Sequence, residues 1–155
     1  MSGEIEARLK AIGFELPTAP PAVANYVPFV LSGDLLYISG QLAKAGDGRM
    51  VTGRLGAGLG IEQGYEAAQL SALNIIAQAK AALGDLGRIA HVLRLNGFVA
   101  ATPEFTDHPK VVNGASDLIG SVLGDAGRHT RVAVGVPSLP MNSAVEVDAV
   151  MRIRG

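Results

Sequence analysis

Two charged side chains in apolar surroundings are the strongest candidates for chemistry in this chain. Arg131 and Glu146 each lie in a short run of small or branched apolar residues, and the two runs flank a turn that contains Pro137 and Pro140. A guanidinium or a carboxylate is costly to bury among such residues unless it is paired or used. The pattern therefore indicates either a salt bridge or a binding site.

Residue type supports both interpretations equally. A guanidinium can form two parallel hydrogen bonds with a carboxylate, so Arg131 is suited to anchor a small carboxylate substrate. A partly buried carboxyl group can have a raised pKa and activate water, which suits Glu146 to act as a general base. In the structural alternative, Arg131 forms a salt bridge with Glu146 or Asp148 across a hairpin made by the last two strands.

Three further polar residues are weaker candidates when each is taken alone. Ser39 ends an apolar run but lacks the Gly-x-Ser-x-Gly elbow of a nucleophile, so we expect a hydrogen-bonding wall residue. Tyr26 precedes an apolar strand, where tyrosine usually packs with its hydroxyl at a boundary. Asn113 lies on a predicted helix and contributes only if that helix face meets the site.

No motif predicts a metal ion or a cofactor. His91, His108 and His129 lie on different predicted elements and lack the spacing of metal ligands, so we expect surface or capping roles for them. The chain has no cysteine, which excludes disulfides, thiolate nucleophiles and cysteine-ligated zinc. The glycine-rich run 56–60 lacks the Lys-Ser/Thr ending of a phosphate-binding loop.

Composition bounds the class of protein. The 155 residues suit one globular domain, with 48% hydrophobic and 17% charged residues. A formal net charge of -1, few aromatic residues and no tryptophan argue against a nucleic-acid-binding surface. No apolar run has the length of a membrane span, and the first residues lack the order of a signal peptide. We therefore expect a cytoplasmic protein that is not bound to membranes.

Apolar periodicity predicts the elements that must position these residues. We expect an N-terminal helix and connector in residues 1–20, followed by a single domain in residues 21–155. The predicted elements are a helix at 4–12, strands at 27–31 and 35–39, a loop at 45–60 with a short strand near Met50, a helix at 62–83, a strand at 89–101, a helix from 107 or 108 to 123, and strands at 131–136 and 144–153. This order predicts an α+β fold, with two long helices on one face of a mixed sheet.

The predicted strands are apolar on both of their faces. In the strand at 131–136, Val132, Val134 and Val136 alternate with Ala133 and Gly135. A sheet that is covered on one side should instead alternate apolar with polar residues. Two helices cannot cover both faces, so we expect the second face to be buried against another copy of the chain.

Several motifs, in order, resemble those of the RidA/YjgF family, which is also called the endoribonuclease L-PSP or chorismate-mutase-like family. The matching residues, between about Asn25 and Ile153, are Tyr26, the run Leu36-Tyr-Ile-Ser39-Gly-Gln41, the alanine-rich helix, Asn113, Arg131, Leu139-Pro140 and Val145-Glu146-Val147. The segments 23–28, 110–117 and 133–136 look most like a YjgF-like subgroup with a longer N-terminus.

The resemblance implies a chorismate-mutase-like fold, assembled as a homotrimer around a central β-barrel, with three sites at the subunit interfaces. It also implies hydrolysis of reactive enamines and imines, such as 2-aminoacrylate, to 2-ketoacids and ammonia, without metal or cofactor. Two alternatives are kept. In the first, the trimer would be a non-catalytic protein that binds small carboxylates or has a regulatory role. In the second, it would be an endoribonuclease, which the formal net charge of -1 makes less favoured.

The family's site residues carry over to matching positions in this chain. Arg131 would hold the substrate carboxylate, and Glu146 would position or activate water. Tyr26, Ser39 and Asn113 would line the pocket, and the backbone of Ala133 would bind the imine end or the product oxygen. The family's best-known members usually have cysteine at the position of Ala133, where the contribution is chiefly through the backbone.

Overall fold

The computed structural model describes residues 3–155. Its helices are α1 (Glu4–Ala11), α2 (Ile61–Leu83) and α3 (His108–Leu123), and its strands are β1 (Phe29–Ser32), β2 (Leu35–Leu42), β3 (Arg54–Leu55), β4 (Gly58–Leu59), β5 (Ile89–Ala100), β6 (Thr130–Val136) and β7 (Val145–Ile153). The predicted α+β class and the predicted order of long elements are confirmed. The described part of the chain holds three helices and an open sheet, not a closed barrel.

The main sheet has five strands in the order β1-β2-β7-β5-β6. Within this sheet, only β5 and β6 pair in parallel, because α3 forms the crossover connection between them. The expected hairpin between the last two strands is therefore wrong. The crossover places β6 on the outer side of β5, and β7 enters between β2 and β5.

Both long helices pack on one face of this sheet. The alanine-rich α2 ends at Gly84, which has a positive φ of 77°. Helices α2 and α3 approach closely at Gly114, where an added Cβ would collide with the carbonyl oxygen of Tyr65. The third helix, α1, adds Ile5 and Leu9 to the same hydrophobic core.

The other face of the sheet carries no helix within residues 3–155. Residues of β7 alternate, so that Val147 and Ala149 are buried under the helices while Glu146 and Asp148 face the opposite side. That side also exposes apolar side chains of three other strands: Val30 at 49%, Tyr37 at 45%, Val132 at 38% and Val134 at 43%. The prediction that the helices cover one face only is confirmed, and burial of the second face against another copy stays a prediction.

Local differences from the predicted elements lie around the loops. Strand β2 continues past Ser39 to Leu42, through an irregularity in its pairing with β7. The predicted short strand near Met50 is only an isolated bridge between Lys44 and Met50. The glycine-rich loop holds the small parallel pair of β3 and β4 instead. None of the helices in residues 3–155 combines the length and the apolar character needed to cross a bilayer.

Candidate functional site

The guanidinium of Arg131 lies against α3, at the edge of the sheet. Its Nη1 donates to the hydroxyl oxygen of Ser116 at 2.9 Å, and its Nη2 donates to the carbonyl oxygen of Pro109 at 3.2 Å. A guanidinium has five N–H donors, so three remain for a further partner. The side chain is therefore oriented by the protein and keeps the donors for a bidentate contact with a carboxylate.

Asn113 and Ala133 lie on the same flank of the molecule as Arg131. Asn113 is exposed on α3, four residues after Pro109 and three before Ser116, so it shares their helix stripe. Ala133 follows Arg131 by two residues on β6 and thus faces the same side. Because β6 is an edge strand, alternate backbone N–H groups along its outer side have no partner strand among residues 3–155.

Glu146 lies on the opposite face of the sheet. In register across β5, Phe98 is the partner of Glu146 and of Val134, whereas Leu95 is the partner of Arg131 and of the buried Ala149. Residues in register share a face, so the guanidinium and the carboxylate point to different sides. The structural alternative of a salt bridge between Arg131 and Glu146 or Asp148 is wrong for this chain.

A bulge in β2 makes room for the Glu146 carboxylate. The pairing of β2 with β7 shifts between Ile38 and Gln41, so Ser39 and Gly40 lie in the irregular segment. A Cβ added to Gly40 would collide with Oε2 of Glu146. Ser39 donates its hydroxyl to the carbonyl oxygen of Val27 at 2.8 Å, which connects the bulge to the segment that carries Tyr26.

An apolar cleft of about 90 Å³ adjoins this bulge. Its lining combines residues of the connector before β1, of β2 and the loop after it, of α2 and of the turn before β7: Pro20, Pro21, Ala22, Val23, Tyr26, Pro28, Gly40, Gln41, Leu42, Lys44, Met50, Asn74 and Met141. Tyr26 is 46% exposed, so its ring remains accessible at the cleft. The cleft and the carboxylate thus share Gly40 as a common wall.

Buried amides support the cleft from behind. Gln78 of α2 donates to the carbonyl oxygen of Pro20 at 2.6 Å and contacts Oε1 of Gln41 at 3.4 Å. Gln41 in turn donates to the carbonyl oxygen of Ser39 at 2.9 Å. These hydrogen bonds attach both the connector and the bulge to the helix layer.

The six predicted site residues therefore form two separate groups within one chain. Tyr26, Ser39 and Glu146 surround the bulge of β2, whereas Asn113, Arg131 and Ala133 lie along the β6 edge. Each group holds one of the two charges. A single chain does not bring the guanidinium and the carboxylate together.

The environment of Glu146 disfavours its charged form. Partial burial raises the pKa of Glu146, and the negative charge of Asp148 raises it further. The pKa of Asp148 is also raised by burial, although hydrogen bonds from Asn96 and the charge of Arg94 oppose that shift. No cation lies beside Glu146 in residues 3–155 to lower its pKa again. A carboxyl group with a raised pKa is typical of a proton acceptor in a catalytic site.

Gly40→Ala tests whether the bulge positions this carboxylate. We expect it to displace the flexible Glu146 side chain, since the added methyl group takes the place of Oε2. Any catalytic rate that depends on Glu146 should fall at least about tenfold, because small displacements of a catalytic group are costly. The rate and the melting temperature of the variant are the measurements.

Gly120→Ala is the matched control for that substitution. A Cβ at Gly120, on α3, would have no atom within 4 Å, so the alanine should leave the rate unchanged and favour the helix. Equal rates in the two variants would show that the bulge does not position Glu146.

The sequence did not reveal Ser116 or the role of His129. The sequence pattern predicts only a surface or capping role for His129, but its Nε2 lies 2.8 Å from the Ser116 oxygen that contacts Arg131. The three residues are brought together by the parallel pairing of β6, which no local motif encodes. The described residues contain no group of three His, Asp or Glu side chains able to hold a metal ion.

Comparison with known proteins gives consistent matches along nearly the whole chain. A family model described as YjgF/chorismate mutase-like matches residues 6–152. Protein TCP17 of Trypanosoma cruzi is 49% identical over 153 residues, which cover 98% of this chain and 96% of that protein.

Solved structures share the fold as well. The crystal structure of Atu1372, a protein with unknown function from Agrobacterium tumefaciens, is 54% identical and has a TM-score of 0.92, covering 97% of this chain and 92% of that chain. RidA from an Antarctic Psychrobacter species is 27% identical with a TM-score of 0.62, covering 88% of this chain and 94% of that chain. The sequence comparison and the backbone comparison thus agree with each other.

Proposed function

The chain belongs to the YjgF/chorismate-mutase-like family, and from that membership we propose that it hydrolyses small reactive enamine or imine carboxylates. The products would be a 2-ketoacid and ammonia. One observation carries the proposal: an oriented guanidinium with free donors and an unpaired carboxylate of raised pKa occupy two separate faces of the chain. We further propose that the protein acts in the cytoplasm.

Arg131 would bind the substrate carboxylate in this reaction. Its free N–H donors supply the two parallel hydrogen bonds that a carboxylate accepts. Backbone N–H groups near Ala133 on the edge strand would receive the developing product oxygen. Asn113, on the same flank, would complete the polar wall.

Glu146 would handle the protons of the reaction. As a carboxylate it would accept a proton from water while the water oxygen attacks the C=N carbon of the imine. Addition to the protonated imine gives a neutral carbinolamine, and Glu146 returns the proton to its nitrogen. The C–N bond then breaks to release ammonia, while the hydroxyl proton passes to the Glu146 carboxylate and the C=O bond of the 2-ketoacid forms. A raised pKa suits a group that must both accept and return a proton near neutral pH.

Assembly of a homotrimer would bring the two groups of residues together. The uncovered face of the sheet offers exposed Val30, Tyr37, Val132 and Val134 for burial against neighbouring copies. We propose that Arg131 of one copy then faces Glu146 of the next, around a central barrel formed by the three sheets. The apolar cleft at Tyr26 would hold the substrate side chain in this arrangement.

Ammonia release is the direct test of the activity. Imines generated in situ from a panel of amino acids by an amino-acid oxidase should lose ammonia faster with the protein than in buffer. The panel should run from small to bulky apolar side chains, because the cleft is apolar. Rates equal to buffer for every imine would refute the deaminase proposal.

Mixing two inactive variants tests whether the site is shared between copies. We expect Arg131→Ala and Glu146→Gln to be inactive alone, and hybrid trimers from co-expression to recover activity. In a cyclic trimer with random mixing, about a quarter of the interfaces would combine an intact arginine with an intact glutamate. Recovery near zero would refute a site shared between copies.

A binding or regulatory role is the second candidate. The same geometry around Arg131 supports it, since carboxylate binding requires no proton acceptor. Saturable binding of 2-oxobutyrate without turnover of any imine would favour this role. The family name also carries the term endoribonuclease, but a formal net charge of -1 argues against phosphate contacts.

A further inference from the structure

Three polar groups form a continuous hydrogen-bonded row behind the guanidinium of Arg131. Arg131 Nη1 lies 2.9 Å from Oγ of Ser116, and that Oγ lies 2.8 Å from Nε2 of His129. The other ring nitrogen, Nδ1 of His129, lies 2.6 Å from the carbonyl oxygen of Gly127. The row therefore connects β6, α3 and the turn that precedes β6.

The chemistry of these atoms assigns the protons. The carbonyl oxygen of Gly127 can only accept, so Nδ1 of His129 carries the ring proton. The lowered pKa of His129 favours the neutral ring near neutral pH, so Nε2 is an acceptor and the hydroxyl of Ser116 donates to it. The lone pairs of the Ser116 oxygen consequently face Arg131 and accept from its guanidinium.

The surroundings of His129 keep the ring neutral. Burial lowers the pKa of His129, and the hydrogen bond to Gly127 opposes that shift. The positive charge of Arg131, on β6, and the neighbouring His91, on β5, lower the pKa further. From α3 the ring receives the hydroxyl of Ser116.

We propose that Ser116 and His129 are positioning residues that hold the Arg131 guanidinium in the orientation for binding a carboxylate. The proposal rests on the proposed function for the role of Arg131 as the carboxylate clamp. A free arginine side chain loses considerable rotamer entropy when it binds a ligand. Two prior anchors, Ser116 and the Pro109 carbonyl, remove much of that cost before the ligand arrives.

The same serine–histidine distance occurs in hydrolases with a nucleophilic serine. Here, however, the oxygen of Ser116 already accepts a hydrogen bond from a cation, which makes its lone pairs less available for attack. Ser116 therefore acts as a hydrogen-bond acceptor that holds Arg131 and not as a nucleophile.

Ligand affinity is the first readout, with 2-oxobutyrate as the probe. Ser116→Ala should raise its Kd about 10-fold, since a hydrogen bond to a charged group is lost. Imine KM should rise similarly while kcat stays within about twofold, the sign of lost uniform binding. The matched control is Ser121→Ala, an exposed serine further along α3, which should leave Kd unchanged.

Histidine variants separate the acceptor from the bulk of the ring. His129→Leu should raise Kd several-fold, whereas His129→Gln, which offers a carbonyl oxygen near the Nε2 position, should restore most of the affinity. Identical Kd values for wild type, Ser116→Ala and His129→Leu would overturn the proposal. Covalent labelling of Ser116 by a fluorophosphonate would overturn it as well.

Nitrogen-15 NMR of the ligand-free protein supplies a readout that needs no ligand. At neutral pH, His129 should show the neutral Nδ1–H tautomer, and a charged ring or the Nε2–H tautomer would contradict the proposed row. If 2-oxobutyrate binds but no imine turns over, the deaminase function fails and the Kd series still decides the positioning role. If wild type does not bind 2-oxobutyrate at all, the clamp and its positioning residues are both refuted.

Discussion

Replacing Arg131 by alanine should weaken 2-oxobutyrate binding by about 100- to 1,000-fold, the expected cost of removing one partner of a desolvated charge pair. On the β6 flank, two acceptors orient the guanidinium of Arg131, and its other N–H donors remain unused among the described residues. The loss should appear equally in kcat/KM for any imine that the protein hydrolyses. Calorimetric titration and initial rates are the measurements.

Two variants make this result specific to the position of the charge. Arg128→Ala removes an exposed arginine three residues earlier and should leave Kd unchanged. Arg131→Lys keeps the charge but loses the bidentate geometry, so it should recover only part of the affinity. An equal loss of 2-oxobutyrate affinity in Arg128→Ala and Arg131→Ala would show that only the overall positive charge matters, and not a specific contact with Arg131.

Replacing Glu146 by glutamine should lower kcat by about 100- to 10,000-fold, the usual contribution of a general base. The amide keeps the shape of the side chain beside Gly40, so 2-oxobutyrate affinity should stay within a few-fold of wild type. Loss of binding together with loss of rate would instead assign Glu146 to the binding wall.

The pH dependence follows from the direction of the pKa shift. A general base works only when ionised, and because the pKa of Glu146 is raised, the rate should fall on acidification at a pH above the ordinary carboxyl range. Asp148→Asn removes the nearby negative charge, so this limb of the profile should move to lower pH. A profile that does not move would contradict the assignment of Glu146 as the base.

The same shift implies a stability cost that can be measured separately. A carboxyl group whose pKa is higher in the folded state binds its proton more tightly there than in the unfolded chain. Stability is therefore lost as the pH rises from the unfolded pKa through the folded one. Glu146→Gln should melt at a higher temperature than wild type near pH 7, and the difference should vanish in acid.

Much of the fold followed from local patterns. The apolar stripe and alanine content of α2 and the glycines after α2 and α3 predicted both long helices closely. The strand order was beyond these signals, because apolar runs identify strands but not their neighbours. The presumed hairpin between β6 and β7 failed for that reason: β5 separates them, and α3 makes β6 parallel.

The candidate site was predictable in part. Residue type and the family resemblance selected Arg131 and Glu146, but their opposite faces are a property of register across β5. The collision that excludes a side chain at Gly40 depends on a bulge, which leaves little trace in sequence. The sequence did not single out Ser116 and His129, because serine and histidine are common surface residues. Their role depends on the contact with Arg131, which only the tertiary fold creates.

The position of β7 has a consequence for how the protein is made. This strand is the last of the sheet along the chain, yet it lies between β2 and β5 and pairs with both. Until β7 has been synthesised, two parts of the sheet each keep an unpaired strand edge. One is the edge of β2 in its hairpin with β1, and the other is the edge of β5 in the unit with α3 and β6. Ribosome-bound chains that stop before Val145 should therefore be prone to aggregation, and the sheet should close only after Ile153 has left the exit tunnel.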